Sequence, residues 1–276
     1  MPRTAAFRAA KTRRQTPFPL RVYRYARVSV HVFQGVATTA FVFPRIGLPQ
    51  RRELIRRWSQ RLLSLLGVET RLRGLPVAGL PGNLLIVANH ISWLDIFVLN
   101  ALRPCRFIGK AEIKRWPLIG RLVANCGTLF LERGRRHDAH RVNQHARDVL
   151  AAGETIAIFP EGTTTDGTTV LPFHGSLLQP VVDAHGQVQP IAIRYRRLDG
   201  THSDAAAYVG DTSLLGSLWK VLGERALIVE VTLAPALAAR ARHRRELSRE
   251  AENAIRAALE LAALGSGPET TADRPA

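Results

Sequence analysis

Short apolar runs alternate with helical stretches from Asn83 onward, and this alternation restricts the fold more than any other feature. The apolar runs have the length of buried strands, and they lie at residues 84–88, 107–109, 128–131, 155–159, 188–195 and 226–233. Helical stretches separate them at residues 91–102 and 139–153 and after Phe173. The alternation predicts an α/β fold in which helices flank a central, mostly parallel sheet.

The basic charge of the chain is concentrated in its N-terminal quarter. The formal net charge is +17, and residues 1–75 contribute +14 of it, from 16 lysines and arginines against 2 acidic residues. The remaining residues contribute only +3. This asymmetry indicates a nucleic acid, an anionic membrane surface or an acidic partner.

Residues 28–43 are mostly apolar but include His31 and Gln34. The segment is shorter than the ~20 residues that a straight membrane span needs. A cleaved signal peptide is an alternative, because a basic flank precedes an apolar run. The chain remains basic beyond Pro44, however, and this opposes translocation.

Residues 51–66 have the pattern of a basic amphipathic helix. Apolar side chains recur at helical spacing, namely Leu54, Ile55, Trp58, Leu62, Leu65 and Leu66. Arginines occupy the other side, and a tryptophan on the apolar face suits a membrane interface. A surface helix that packs on its own domain is the alternative. Beside residues 28–43, the segment predicts a two-helix membrane-docking element.

The two cysteines, Cys105 and Cys126, lie well apart and form no C-x-x-C pattern. They indicate neither a disulfide framework nor a metal site, and they suit a reducing compartment. The length of the chain fits one large core with appendages, and no internal repeat is visible.

His90 and Asp95 carry the strongest chemical signal. A strand is expected to end at Ala88 and a helix to begin near Ser92, so His90 lies in the turn at the carboxyl end of a strand, where open α/β sheets place ligands. Asp95, in the first helical turn, is placed to fix one ring nitrogen and leave the other free to accept a proton. The alternative is a capping box formed by Ser92 and Asp95.

Two further segments end strands with polar side chains. The guanidinium group of Arg133 can bind a phosphate or a carboxylate through two hydrogen bonds. The alternative is that Arg133 is a solvent-exposed cation with no ligand. Glu161, Gly162 and Thr163 follow another strand and combine a carboxylate, a permissive backbone position and a hydroxyl. Their alternative is a turn with a capping threonine.

Four blocks in this order resemble the 1-acylglycerol-3-phosphate acyltransferase family of glycerolipid acyltransferases. They are NHISWLD at residues 89–95, GTLFLER at 127–133, FPEGT at 159–163 and VQPIAI at 188–193. The family pattern is N-H-x-x-x-x-D, G-x-x-F-x-x-R, F-P-E-G-T and V-x-P. Each block is weak alone, but the ordered set is specific, and it covers residues 84–195.

The resemblance implies that His90, oriented by Asp95, deprotonates the hydroxyl of a lysolipid. That oxygen attacks an acyl thioester carried by coenzyme A or acyl carrier protein, with no metal and no cofactor. By the same resemblance, the acceptor head group is bound by Arg133, Glu161, Gly162 and Thr163.

One departure from the family bears on the acceptor. Many phosphatidate-forming members continue the third block as E-G-T-R, whereas this chain has Thr164, and His174 follows L-P-F where a basic residue is common. The altered run also resembles lyso-ornithine lipid acyltransferases. We predict 1-acylglycerol-3-phosphate as the acceptor, because phosphatidate formation is the commoner family activity, with lyso-ornithine lipid as the alternative.

The predicted organisation has four parts. They are a disordered basic arm at 1–17, membrane-associating helices at 18–70, an α/β acyltransferase domain at 71–264 and a disordered tail at 265–276, with residues 236–263 helical.

The expected partners are membrane lipids, the lysolipid and the thioester, at the cytoplasmic face of a membrane (the inner membrane in a bacterium). Nucleic acid is not expected, because the arginines flank apolar helices. A serine hydrolase is disfavoured, because no G-x-S-x-G elbow occurs.

Overall fold

The computed structural model describes residues 15–74, 82–116, 118–132 and 136–264. Residues 1–14 of the predicted arm, the predicted tail and Arg133 lie outside the described residues.

A single mixed sheet forms the centre of the fold. Its strands are β1 Val68–Gly74, β2 Leu84–Ala88, β3 Arg106–Lys110, β4 Leu129–Leu131, β5 Thr155–Ile158, β6 Gln187–Arg196, β7 Leu227–Leu233 and β8 Leu237–Ala238. The order is β1-β7-β6-β2-β5-β3-β4, with β8 beside β6. Neighbours are parallel except for the β6–β7 and β6–β8 pairs. The predicted α/β fold with a mostly parallel sheet is confirmed.

Helices cover both faces of the sheet. They are α1 Phe18–Ala37, α2 Leu48–Leu66, α3 Leu94–Leu102, α4 Ile119–Asn125, α5 Arg136–Ala151, α6 Gln179–Asp183, α7 Leu214–Gly223 and α8 Arg244–Leu264. Alternate residues of β2 point to opposite faces, as the strand period requires. Ile86 joins the apolar core under α2, α3 and α7, whereas Leu85 joins the core under α5, α6 and α8.

Strand β1 is missing from the sequence prediction, and the predicted domain boundary at residue 70 falls inside it. The strand alternates apolar and charged residues, and within it only Val68 is buried. It lies at the edge of the sheet, parallel to β7. There Arg73 pairs with Glu230 of β7 at 3.0 Å, so cross-strand charge pairing, rather than an apolar run, supports this strand.

The C-terminal helix begins later than predicted. Residues 237–238 form β8 with β6, and α8 starts only at Arg244. The start of the fold also lies earlier than residue 18, because Thr16 is buried and its N–H group donates to the carbonyl of Gly223 at 2.9 Å.

The N-terminal apolar segment belongs to a longer helical stretch. Helix α1 continues through a π-helical turn at Thr38–Val42 and a 3₁₀ turn at Phe43–Arg45 before α2 begins. Trp58 of α2 stacks on His31 of α1 with ring centroids 4.7 Å apart. The Trp58 indole donates to the His31 carbonyl at 3.1 Å, so the two helices are joined by specific contacts.

The apolar faces of the two helices have different surroundings. On α2, the apolar residues Leu62, Leu65 and Leu66 are buried in the core. This agrees with the alternative interpretation of this segment, a surface helix that packs on its own domain. On α1, an outward apolar face remains exposed, formed by Val22, Tyr23, Val30 and Phe33 and continued by Phe41. Within residues 15–74, 82–116, 118–132 and 136–264, no helix has the length and apolar content to cross a membrane.

Candidate active site

The turn between β2 and α3 places His90 at the carboxyl edge of the sheet. Asn89, which is buried, ties this turn to β6: its side-chain amide donates to the carbonyl of Ile193 at 3.0 Å and accepts from the N–H of Ile193 at 2.7 Å. The His90 ring then stacks on Phe159, with centroids 3.9 Å apart and an interplanar angle of 10°. Phe159 follows β5, so two neighbouring strands fix the position of the imidazole.

Asp95 is fully buried and holds the His90 ring. Its Oδ2 atom accepts from Nδ1 of His90 at 2.9 Å and from the backbone N–H groups of Ile91 and Ser92 at 2.8 and 2.9 Å. Its Oδ1 atom accepts from the hydroxyl of Tyr195 at 2.7 Å. Four donors therefore converge on one carboxylate, and both of its oxygens have hydrogen-bond partners.

The capping alternative is present in the same geometry. Asp95 lies in the first turn of α3 and accepts from the N–H of Ser92, which is one half of a capping box. The Ser92 hydroxyl instead accepts from the N–H of Leu94 at 3.2 Å. Asp95 thus both closes the start of α3 and contacts the imidazole.

The contact with Asp95 decides the tautomer of His90. A carboxylate that accepts from three other donors requires the proton on Nδ1, so Nε2 carries the lone pair. None of the described residues hydrogen-bonds Nε2, and the His90 side chain is 19% exposed. The imidazole is therefore arranged to accept a proton from a molecule at the carboxyl edge of the sheet.

Glu161 is buried behind the His90 turn. Its Oε1 atom accepts from the N–H of His90 at 2.7 Å, and its Oε2 atom accepts from the N–H of Leu171 at 2.7 Å. Burial raises the pKa of Glu161, and the two backbone donors oppose that rise. With both oxygens occupied and only 4% of the residue exposed, the carboxylate holds two loops together rather than facing an open site.

The rest of the third block lies over the His90 turn. Gly162 has φ of 70°, a left-handed conformation that glycine adopts readily. Thr163 is exposed beside it, and the Thr164 hydroxyl donates to the carbonyl of Tyr208. The N–H of Thr165 donates to the carbonyl of His90 at 2.8 Å, which fastens this loop to the histidine.

The structure thus brings His90, Asp95, Glu161, Gly162 and Thr163 together at one edge of the sheet. The second block leads to the same edge, because β4 runs parallel to β3 and ends at Leu131. Arg133, two residues further on, lies outside the described residues.

Sequence analysis missed Tyr195 as a site residue, because it lies in a run that is typical of a buried strand. The structure places its hydroxyl against Asp95, and burial together with that negative charge raises the pKa of Tyr195 well above its ordinary value of 10. A tyrosine near the end of a strand that is typical of the core was the available signal, since a buried hydroxyl needs a partner.

A mainly apolar cavity of about 60 Å³ lies between α1, α2, α3 and α4. Its lining includes Trp58, Phe97, Phe107 and Leu122. The Phe107 ring packs on Phe159 at 6.1 Å, and Phe159 stacks on His90. The stacked rings of Phe107 and Phe159 therefore connect the cavity wall to His90.

Metal ligands were sought across the same described ranges. No group of three or more histidine, cysteine, aspartate or glutamate residues suited to hold an ion occurs within them. Both cysteines are free thiols, and burial raises the pKa of Cys126 to about 12.

Comparisons with known proteins agree with this fold. A family model described as Acyltransferase matches residues 70–194. The lyso-ornithine lipid O-acyltransferase of Pseudomonas aeruginosa is 41% identical over 243 residues, which cover 86% of this chain and 92% of that protein. The 1-acyl-sn-glycerol-3-phosphate acyltransferase of Neisseria gonorrhoeae is 36% identical over 187 residues, which cover 67% of this chain and 73% of that protein.

A solved structure shares the fold. The 1-acyl-sn-glycerophosphate acyltransferase of Thermotoga maritima matches with a TM-score of 0.68 at 21% sequence identity, over 88% of this chain and 94% of that one.

The fold and the site define an α/β enzyme with a histidine prepared to accept a proton. The chain belongs to the acyltransferase family that includes the lyso-ornithine lipid and 1-acyl-sn-glycerol-3-phosphate acyltransferases. It is an O-acyltransferase of lipid biosynthesis, and the predicted family is confirmed.

We expect Glu161→Gln to loosen the His90 turn. Glutamine keeps the shape but replaces one acceptor oxygen with an NH₂ group, which leaves a buried backbone N–H unpaired at a cost of about 1–3 kcal/mol. Thermal unfolding should show a lower melting temperature, and steady-state kinetics should show a lower kcat. The control is Glu246→Gln, because Glu246 is exposed on α8 and pairs with Arg242. A melting temperature and a kcat equal to those of the wild type would show that the carboxylate is dispensable.

Proposed function

We propose that this protein transfers an acyl group from a thioester to the hydroxyl of lyso-ornithine lipid, with His90 as the general base. The observation that carries the role of His90 is its hydrogen bond to the buried Asp95, which leaves Nε2 available at the carboxyl edge of the sheet. The donor is an acyl thioester of coenzyme A or acyl carrier protein.

The reaction follows from the tautomer of His90. Nε2 removes the proton from the acceptor hydroxyl while the oxygen attacks the thioester carbonyl and forms the C–O bond. The carbon–sulfur bond then breaks, and the sulfur leaves as a thiolate that takes up the proton from the imidazolium. Asp95 stabilises the imidazolium between these steps, because its negative charge lies 2.9 Å from Nδ1.

Two observations support lyso-ornithine lipid over the predicted 1-acylglycerol-3-phosphate. Thr164 stands where many phosphatidate-forming members have an arginine, and its hydroxyl is engaged with the carbonyl of Tyr208. In addition, the relative from Pseudomonas aeruginosa, named a lyso-ornithine lipid O-acyltransferase, matches over more of this chain than the Neisseria relative does. The alternative acceptor of the sequence analysis is therefore the better supported one.

The apolar cavity suits the acyl chain of the donor. Its wall is mainly aromatic and aliphatic, and Phe107 in that wall packs on Phe159, which stacks on His90. An acyl chain bound there would lie two aromatic rings away from the imidazole.

The exposed apolar face of α1 supports attachment to a membrane. Phe33 and Phe41 are 59% and 68% exposed, and Val30, one turn before Phe33, is 57% exposed. Arg27 lies on the same exposed side of α1, and arginines follow at 51, 52, 56 and 57 of α2. A helix with apolar and basic side chains at its outer surface binds in the interface of an anionic bilayer. The cytoplasmic face is proposed from the same basic character.

The acceptor is tested with purified protein in detergent, offered lyso-ornithine lipid and lysophosphatidate separately with a palmitoyl thioester. We expect a higher kcat/KM with lyso-ornithine lipid, because the arginine that would bind a phosphate is replaced by Thr164. A higher kcat/KM with lysophosphatidate would overturn the acceptor assignment and leave the O-acyltransferase assignment intact.

We expect His90→Ala to abolish acyl transfer without weakening membrane binding, because the base and the exposed face of α1 are separate. The measurements are product formation and co-sedimentation with vesicles that contain anionic lipid. The control is His140→Ala, which removes an exposed histidine on α5. Wild-type turnover in folded His90→Ala protein would exclude His90 as the base.

A further inference from the structure

Tyr195 lies within the reach of the site because β6 extends past the end of β2. The register of the two strands ends with Ala88 opposite Ile191, and β6 continues to Arg196. The double hydrogen bond between Asn89 and Ile193 joins β6 to the His90 turn two residues before Tyr195. The tyrosine hydroxyl is thereby held 2.7 Å from Oδ1 of Asp95.

The two oxygens of Asp95 have different partners. Oδ2 accepts from His90 and from the N–H groups of Ile91 and Ser92, whereas Oδ1 accepts from Tyr195 alone among the described residues. Both Asp95 and Tyr195 have a relative exposure of 0%. Without the hydroxyl, Oδ1 would be a buried charged atom with no donor, and nothing would oppose rotation of the carboxylate about its terminal bond.

We propose that Tyr195 is a positioning residue for the acyl transfer, which acts through Asp95 on His90. Its hydroxyl fixes the rotation of the carboxylate, so that Oδ2 remains in the plane of the imidazole. It also draws part of the negative charge toward Oδ1, which limits how strongly Asp95 retains a proton on the imidazole. The proposal rests on the proposed role of His90 as the base.

The hydroxyl of Tyr195 is suited to this task because it remains a donor at every pH at which the enzyme works. Burial and the adjacent carboxylate both raise the pKa of Tyr195 well above its ordinary value. Glu161 also interacts with His90 and Asp95, and it keeps its own backbone donors when Tyr195 is changed.

The test is Tyr195→Phe, assayed with the acceptor that the wild-type protein prefers. We expect kcat to fall about tenfold, as the loss of one buried hydrogen bond to a charged group implies, while the KM values of acceptor and thioester change less than about twofold. The acid limb of the kcat/KM profile should move upward by roughly half a pH unit, because Asp95 then holds the imidazolium proton more strongly.

A matched control separates positioning from stability. Ser217→Ala on α7 removes another side-chain hydrogen bond, which is part-buried: the Ser217 hydroxyl accepts from the indole of Trp93, just before α3, at 3.0 Å. This bond does not involve Asp95. We expect Ser217→Ala to lower the melting temperature by an amount similar to Tyr195→Phe, and to leave kcat and the pH profile unchanged.

A second measurement keeps the hydroxyl and the packing. The chain has four tyrosines, and uniform replacement by 3-fluorotyrosine makes the donor at Tyr195 more acidic. The acid limb should then move downward, and the same labelling of Tyr195→Phe protein should produce no such shift. An unchanged kcat and pH profile in folded Tyr195→Phe protein would overturn the proposal, and so would an equal fluorotyrosine shift in both proteins. Because wild-type transfer and its loss in His90→Ala are measured separately, either result leaves the role of His90 intact.

Discussion

The buried carboxylate of Asp95 is the interaction on which the site depends. An ionised carboxylate out of water costs several kcal/mol unless it is paired and hydrogen-bonded. Here four donors surround it, and each hydrogen bond to a charged group contributes about 1.5–3 kcal/mol. The fold can therefore keep a full negative charge next to His90, and this charge determines which ring nitrogen bears the proton.

The groups that surround His90 and Asp95 come from separate parts of the chain. The turn after β2 supplies His90 and two backbone N–H groups, and β6 supplies Tyr195 from the neighbouring strand. The loop after β5 supplies Phe159 beneath the imidazole and Glu161 behind its backbone. Because β2, β5 and β6 are parallel, these three contributions meet at the same edge. The position of the His90 imidazole thus follows from strand order rather than from the local turn alone.

The sequence predicted the elements that have a strong apolar pattern. Strands β2, β5, β6 and β7 lie within one residue of their predicted bounds, since each is an apolar run long enough to be recognised. Strand β1 was missed, because it has no apolar run and is supported by the pairing of Arg73 with Glu230 on the neighbouring strand. The amphipathic pattern of α2 was recognised, but a pattern does not state what covers the apolar face. In the structure that face packs on the core, and the exposed apolar face belongs to α1.

The sequence also predicted some contacts of the site and missed others. Spacing alone suggested that Asp95 reaches His90, because both residues belong to one short turn. The resemblance implied a head-group role for Glu161, whereas its oxygens accept from backbone N–H groups of residues 90 and 171. His90 lies 71 residues from Glu161, so no local pattern could indicate that contact. Tyr195 was hidden for the same reason, since it lies 100 residues from Asp95.

The protonation of the two His90 ring nitrogens tests the central claim most directly. It is measured by nuclear magnetic resonance on protein labelled with ¹⁵N-histidine in detergent, and the signals of His90 are assigned by comparison with His90→Ala. Above the pH at which the imidazole is charged, we expect Nδ1 to carry the proton and Nε2 to give the resonance of a bare nitrogen. A proton found on Nε2 in the neutral ring would contradict the role of Asp95, and with it the assignment of His90 as the base.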